Sequence, residues 1–318
     1  MNQEDVRVRL SPTPCSGGER LVVMVSSGPD NAVSRDRWRE EMSVWSEGRV
    51  KMMFLVSSCQ PGQVCRHDLE KEHDQHGDIL QTSLLDGHRR LGYKILSGYV
   101  WAHLHCPAVG HVVKTDDNVE MDLSRLMEVT KEELRDNSIS CGSGTPHRNM
   151  KTLRSSRPHM TGNWSTTKEE LEDDIMPDFC CGFSYITTPA VGIRLVEAAN
   201  LLYPNTEVVQ IEDSLITGVL REKVGVDLTS LEPSWTSSSW LHIFSYCPWL
   251  TMTKLTFSND LVISKRSSRQ AVQYVGGVTE GRVWRYYVCL HLEVGLDTIE
   301  QNLPGLIPNF IWDFCSRG

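Results

Sequence analysis

The sequence of 318 residues has no long hydrophobic run. Its longest purely apolar runs, such as residues 21–25 and 52–56, are far shorter than the roughly 20 residues that a membrane-spanning helix needs. Residues 1–9 are polar and charged, which is not the pattern of a signal peptide. We therefore expect no membrane span within the 318 residues and no secretory leader at residues 1–9.

The sequence also has no surplus of positive charge. Its formal net charge of -9 leaves no basic excess to neutralise phosphates, which argues against a general nucleic-acid binder. Charged residues make up 23% of the chain and hydrophobic residues 40%, as in ordinary globular proteins. A chain of this length can bury a sizeable core, so we expect a globular domain.

The ten cysteines show neither CxxC pairs nor zinc-binding spacing. Either some form disulfides in an oxidising lumen, or they are reduced core residues. The adjacent Cys180 and Cys181 can hardly bridge each other, so a longer bridge or a core role is expected for them. The triplet Asn163-Trp164-Ser165 is a glycosylation sequon, which fits a luminal protein but also arises by chance.

Short apolar strands alternate with helical patterns along the first two thirds of the chain. This alternation predicts an α/β fold, with a mostly parallel sheet and helices on its faces, in which ligands bind at the carboxyl ends of strands. We expect a polar tail over residues 1–19, one domain over residues 20–250, and an extension of that domain over residues 251–318. The strands are predicted at 21–27, 52–58, 110–114 and 182–187, and the helices at 33–45, 66–75, 88–105, 189–202 and 213–223.

Two acidic motifs follow predicted strands. Asp116-Asp117-Asn118 comes after the apolar pair 112–113, and its oxygen atoms suit Mg²⁺ or Mn²⁺ bound to a diphosphate. The same residue types are common in solvated turns. Glu212-Asp213 follows residues 208–211 and is either a general base or the cap of a helix. Arg35 and Arg39, four residues apart, either contact an anionic ligand or form a charged helix face.

The order and spacing of these pieces resemble the β-1,3-galactosyltransferase family, glycosyltransferase family 31, which includes β-1,3-N-acetylglucosaminyltransferases. The resemblance covers roughly residues 20–225. No single motif is decisive, but five in the same order make coincidence a poor explanation. The matching pieces are Asn31 with Arg35 and Arg39, residues 72–81 around Asp78 with Asp86, Leu91 and Lys94 after them, residues 114–119, residues 177–185 around Gly182, and Glu212-Asp213 with Gly218.

The resemblance implies a GT-A-type fold, a Rossmann-like mixed sheet flanked by helices. It also implies a UDP-sugar donor, a glycan acceptor, a divalent cation such as Mn²⁺, and inversion at the anomeric carbon. The implied catalytic base is Asp213, and the implied metal ligands are Asp116 and Asn118. The implied donor-binding residues are Arg35, Arg39, Asp78, Lys114, Asp116, Asp117, Gly182 and Glu212. Family members lie in the Golgi lumen behind an N-terminal membrane anchor, which these residues do not contain.

Three departures from the family pattern bear on activity. Asn118 stands where the family has the aspartate expected to hold the metal, and an amide brings no negative charge. Ser184 replaces a glycine near the expected sugar pocket, where its side chain is expected to crowd the site, and Met176 replaces a tyrosine. Our main hypothesis is an inverting β-1,3-glycosyltransferase that moves galactose or N-acetylglucosamine. The alternative is a catalytically weakened or inactive relative that binds UDP or sugar.

Overall fold

The computed structural model describes most of the chain up to residue 231 and two short segments beyond it. The described residues are 6–45, 48–60, 65, 67–119, 121, 123–132, 134–142, 146–152, 154, 165–202, 209–231, 263–267 and 270–274. They belong to two compact units, the first formed by residues 1–157 and 161–249, the second by residues 158–160 and 250–318.

The first unit contains a mixed sheet whose described part has eight strands. The strands are β1 (Val8–Leu10), β2 (Leu21–Ser27), β3 (Val50–Ser58), β4 (Ile79–Leu85), β5 (His111–Asp116), β6 (Ser138–Cys141), β7 (Ser184–Thr187) and β8 (Asp227–Ser230). Their order in the sheet is β1-β4-β3-β2-β5-β7-β6-β8. Four neighbouring strands, β4, β3, β2 and β5, run parallel, whereas β1 and β7 are antiparallel to their neighbours.

Helices pack on both faces of this sheet because its central strands are apolar on both sides. In β2, Val22 and Met24 enter one core with α3 and α5, while Val23 and Val25 enter the opposite core with α1 and α4. A π-helix, Ser214–Leu220, continues into the α-helical turn Arg221–Lys223. The α-helices are α1 (Ala32–Trp45), α2 (Leu69–His76), α3 (Leu91–His105, after the 3₁₀ turn His88–Arg90), α4 (Leu123–Glu132) and α5 (Pro189–Leu202).

This architecture confirms the predicted α/β fold, a mixed sheet flanked by helices. The helix predicted over residues 213–223 is present, but its first two turns are π-helical. The second unit contains the hairpin of β9 (Ile263–Ser267) and β10 (Gln270–Tyr274). No helix among the described residues is long and apolar enough to cross a membrane. Of the sequon, only Ser165 lies within the described residues.

The prediction of a polar tail over residues 1–19 is wrong for its described part. β1 pairs with β4 at the sheet edge, and Ser11 Oγ accepts a hydrogen bond of 3.1 Å from Trp101 Nε1. Cys15 is bonded to Cys106. Polar composition concealed these attachments, because an edge strand and a disulfide need few apolar residues.

Disulfides settle the open question about the described cysteines. The bridges Cys15–Cys106, Cys59–Cys65 and Cys141–Cys180 are formed, and Cys181 is also disulfide-bonded. The expectation of a longer bridge for Cys180 is confirmed, since its partner lies 39 residues away. The reduced-core alternative is therefore wrong for these residues.

A buried ion-pair network ties α1 to α2 and to β4. Arg35 is fully buried and binds both carboxylate oxygens of Glu72 at 2.7 Å. Arg39 also contacts Glu72, at 2.6 Å, and binds both oxygens of Asp78 at 2.8 and 2.9 Å. Burial alone would raise the pKa of Glu72, but the hydrogen bonds from the two arginines outweigh it and lower the pKa to about 2. The carboxylate therefore stays charged at neutral pH.

Neutralising Glu72 should destabilise the domain much more than neutralising an exposed carboxylate of the same helix pair. Glu72→Gln leaves two buried guanidinium groups undercompensated, so we expect a loss of about 3 kcal/mol in the free energy of unfolding. The matched control is Glu41→Gln, since Glu41 meets Arg37 at 3.9 Å in an exposed pair worth less than about 1 kcal/mol. Urea denaturation measures both losses. Equal losses in the two variants would contradict the structural role of the network.

Candidate active site

A cleft with a volume of about 250 Å³ opens at the carboxyl ends of β2 and β5. Its walls come from the loop between β2 and α1, the loop between β4 and α3, and the segments on either side of Gly182 and Asp213. This is where the α/β architecture predicts a ligand. The cleft is lined by Ser26, Ser27, Gly28, Asn31, Asp86, Gly87, His88, Leu91, Lys94, Asp116, Asp117, Gly182, Ile211, Glu212 and Asp213.

Lys114 connects the two acidic motifs beneath this cleft. Its buried Nζ lies 2.9 Å from Asp116 Oδ1 and 3.1 Å from Glu212 Oε2, and it donates a hydrogen bond to the Gly182 carbonyl. Burial alone would lower the pKa of Lys114, but Asp116 and Glu212 outweigh it and raise the pKa. Lys114 is therefore a permanent cation that holds both motifs and the Gly182 backbone together.

Glu212 is the second carboxylate that contacts this cation. One carboxylate oxygen contacts Lys114, and the other accepts a hydrogen bond from the buried Tyr185 hydroxyl. Burial raises the pKa of Glu212, while Lys114 and Tyr185 oppose the rise. Both oxygens of Glu212 thus have protein partners, which fix the carboxylate in one orientation.

Asp213 lines the cleft and, unlike Glu212, has backbone N–H groups as its hydrogen-bond partners. Its side chain accepts a hydrogen bond of 2.8 Å from the Ser214 backbone N–H at the start of the π-helix. Thr217 Oγ1 donates to the Asp213 carbonyl and accepts from the Cys180 N–H, which ties Asp213 to the segment before Gly182. Burial, followed by the charge of Glu212, raises the pKa of Asp213 to about 7. A carboxylate with this pKa is suited to take a proton at neutral pH.

Gly182 allows both acidic side chains to stand at the cleft. A Cβ atom at this position would lie 3.2 Å from Asp213 Cβ and 3.4 Å from Glu212 Oε2. The 3.2 Å contact is tighter than ordinary packing, so Asp213 would have to shift by a few tenths of an ångström. The absence of a side chain at Gly182 therefore lets Asp213 keep its position at the cleft.

The first acidic motif is partly engaged within the protein. Asp117 Oδ2 accepts hydrogen bonds of 2.7 Å from Ser27 Oγ and 2.9 Å from Asn31 Nδ2. Asp116 is paired with Lys114, and Asn118 is partly exposed beyond it. Within the described ranges, no three His, Cys, Asp or Glu side chains are grouped as a metal site. The side chains of this motif offer only oxygen atoms as ligands. Such ligands fit a hard cation that also binds the oxygen atoms of a diphosphate.

Of the ten predicted site residues, the structure brings six together at the cleft and separates three from them, while Asn118 directly follows Asp117 in the chain. Asp116, Asp117, Gly182, Glu212 and Asp213 line the cleft. Lys114 lies beneath them. The remaining three, Arg35, Arg39 and Asp78, belong to the buried ion-pair network and do not line the cleft.

The predicted donor contact of Arg35, Arg39 and Asp78 therefore needs correction. Arg35 donates to the carbonyls of Gly28 and Pro29, at 2.6 and 3.3 Å, and so holds the loop that follows β2. Arg39 and Asp78 bind each other. Because their polar atoms are satisfied by protein partners, these three residues position the cleft wall and do not form part of its surface.

The expectation that Ser184 crowds the site is also wrong. Ser184 is fully buried at the start of β7, where it pairs with Thr115, and it does not line the cleft. Several cleft residues, among them Gly87, His88 and Ile211, were missed because they belong to no recognisable polar motif. Lys94 had a usable signal, since a lysine interrupts the apolar face that Leu91 and Ile95 define on the predicted helix.

Comparison with known proteins identifies relatives of this sequence. Beta-1,3-galactosyltransferase 5 of Pan paniscus is 24% identical over 215 residues, which are 66% of this chain and 67% of the relative. The human protein of the same name is 24% identical and is covered to 65%. Beta-1,3-galactosyltransferase 4 of Mus musculus is 31% identical over 128 residues, 38% of this chain and 34% of the relative. The matches to the first two relatives span about two thirds of their length.

Among solved structures, the apo form of mouse xyloside xylosyltransferase 1 aligns with a TM-score of 0.33 and 10% identity, over 72% of this chain and 91% of that chain. This likeness is too weak to carry an argument. The sequence profile described as galactosyltransferase matches residues 31–232, more than half of the chain. The predictions of the family and of its enzyme class, a hexosyltransferase, are confirmed by these matches. The chain belongs to the galactosyltransferase family.

Proposed function

We propose that this protein transfers galactose or N-acetylglucosamine from a UDP-sugar to the 3-hydroxyl of a glycan acceptor, with inversion at the anomeric carbon. The observation that carries the proposal is Asp213, a buried carboxylate at the cleft with a pKa of about 7. The names of the relatives, beta-1,3-galactosyltransferases 4 and 5, support the linkage and the sugar class. The disulfides support an oxidising compartment, for which we propose the Golgi lumen.

In this mechanism Asp213 acts as the general base. The acceptor hydroxyl oxygen attacks the anomeric carbon, its proton passes to Asp213, and the bond to the UDP oxygen breaks. Glu212 favours proton uptake, because its neighbouring charge raises the pKa of Asp213. Glu212 itself is held by Lys114 and Tyr185, so it serves to position and tune the base.

We further propose that the donor diphosphate binds on the side of Asp116 with a divalent cation such as Mn²⁺. Asp116 and Asn118 would hold the cation, and Asp117 would orient the loop that carries Ser27 and Asn31. The cation would neutralise charge on the departing diphosphate. Five carboxylates line the described cleft, those of Asp86, Asp116, Asp117, Glu212 and Asp213, so a diphosphate needs such compensation to enter.

The alternative is a relative that binds UDP-sugar but transfers slowly or not at all. Two observations favour it: an amide occupies position 118, and Lys114 already neutralises Asp116. Both weaken the attraction of the motif for a cation. A turnover assay paired with a nucleotide-binding assay separates the two functions, because the alternative predicts binding without transfer.

Removing the charge of Asp213 should abolish transfer while leaving the donor bound. We expect Asp213→Asn to lower kcat by about a thousandfold or more, since an amide cannot accept the hydroxyl proton. Asp227→Asn is the matched control, because Asp227 is exposed on β8, away from the cleft. UDP release in the presence of an acceptor measures both. Wild-type turnover in Asp213→Asn would exclude Asp213 as the base.

The dependence of kcat on pH should reflect the raised pKa of Asp213. Transfer requires the deprotonated carboxylate, so kcat should rise with pH through an apparent pKa of about 7. Glu212→Gln removes a charge that raises the pKa of Asp213, while Lys114 still lowers it, so the rise should move to lower pH. A profile that stays unchanged in Glu212→Gln would contradict the proposed coupling of the two carboxylates.

Restoring a carboxylate at position 118 should strengthen the cation site. We expect Asn118→Asp to bind Mn²⁺ about tenfold more tightly and to raise kcat at limiting Mn²⁺, because the motif gains a negatively charged oxygen ligand. Calorimetric titration of Mn²⁺ in the presence of UDP measures the affinity. Gln210→Glu, which adds a carboxylate at a position that does not line the cleft, is the control for added charge alone. Unchanged affinity in Asn118→Asp would place the cation elsewhere.

A further inference from the structure

Two buried lysines lie at the same cleft, and their surroundings differ. Lys114 has two carboxylates and a carbonyl around its Nζ, which match its three N–H donors. Lys94, on α3, is 4% exposed, and its Nζ donates one hydrogen bond, of 3.2 Å, to the Ser27 carbonyl. A buried ammonium with one neutral acceptor has donor capacity left for another partner.

That remaining capacity faces the cleft. Of the described residues that line the cleft, Lys94 is the only lysine or arginine. Burial lowers the pKa of Lys94, and the charges of Asp86, Asp116 and Asp117 oppose this effect from around the cleft. The ammonium therefore lies where an anion placed between α3 and the end of β5 would meet it.

We propose that Lys94 binds the diphosphate of the donor nucleotide directly and neutralises part of its charge. This inference rests on the proposed function, because it assumes a nucleoside diphosphate donor. The amide at position 118 attracts a cation less strongly than a carboxylate would, and Lys94 supplies positive charge to the diphosphate directly, so the donor is held by a lysine together with a weakly bound cation. The Ser27 carbonyl keeps the ammonium at the end of β2 before the donor arrives.

The comparison of UDP with uridine tests this role, since the two ligands differ only in the diphosphate. We expect Lys94→Met to weaken UDP binding by about tenfold or more, the loss typical of a charge-assisted contact, and to leave uridine binding unchanged. The loss should be larger in metal-free buffer than with Mn²⁺. Calorimetry gives both Kd values, and retained uridine binding shows that the variant is folded. If Lys94→Met does not fold, Lys94→Arg and Lys94→Gln provide the same comparison, since only arginine keeps the charge.

The matched control is Lys51→Met. Lys51 is a partly buried lysine at the amino-terminal end of β3, where it donates to Thr13 Oγ1 at 2.8 Å, and it should not affect either ligand. An unchanged preference for UDP over uridine in Lys94→Met, in both buffers, would overturn the role of Lys94 and leave the proposed function standing. Absence of UDP binding by the wild-type protein, with and without Mn²⁺, would overturn both.

Discussion

The contact of Lys114 with Asp116 and Glu212 is the interaction on which the site depends. It joins the end of β5 to the segment before the π-helix, which lies about a hundred residues later in the chain, and it also holds the Gly182 carbonyl. Without Lys114 between them, the carboxylates of Asp116 and Glu212 would lack the cation that both contact and would repel each other. Lys114 opposes the rise that burial causes in the pKa of Glu212, and the charge of Glu212 adds to the effect of burial in raising the pKa of Asp213.

The fold supplies the rigid frame for this contact. Parallel pairing of β2 with β5 brings Ser26 opposite Asp116 at the same edge of the sheet. The ion-pair network of Arg35 and Glu72 fixes the loop after β2 from behind. Arg37 and Trp38 of α1 both donate to the Asp117 carbonyl, at 2.7 and 3.2 Å, and so lock the acidic motif against the helix. Residues outside the cleft thus determine where the cleft carboxylates stand.

Much of this arrangement could be predicted from the sequence. The apolar runs placed β2, β3 and β5 but not the fourth parallel strand, β4, and the acidic residues at the end of β5 indicated where a ligand would bind. The second acidic motif does not follow a strand, since residues 209–211 have no regular secondary structure. Gly182 and Asp213 followed from the order of motifs, and both line the cleft.

Three features were not predictable, for different physical reasons. The arginine motif was read as a ligand contact because sequence does not show that Glu72 and Asp78 satisfy the guanidinium groups internally. The attachment of residues 8–15 depends on backbone pairing and a disulfide, which leave little compositional signal. The π-helix after Asp213 contains Thr217, which accepts a hydrogen bond from Cys180, 37 residues earlier, and no local sequence pattern indicates such a contact.

The central claim is that this buried cluster prepares Asp213 to accept a proton at neutral pH. A direct NMR titration of the Asp213 carboxyl carbon in the free protein measures that property without substrate, cation or turnover. The account predicts a midpoint of about 7, well above the ordinary value of 3.8. A midpoint near 4 would show that Asp213 is an ordinary surface-like carboxylate and would contradict its assignment as the base.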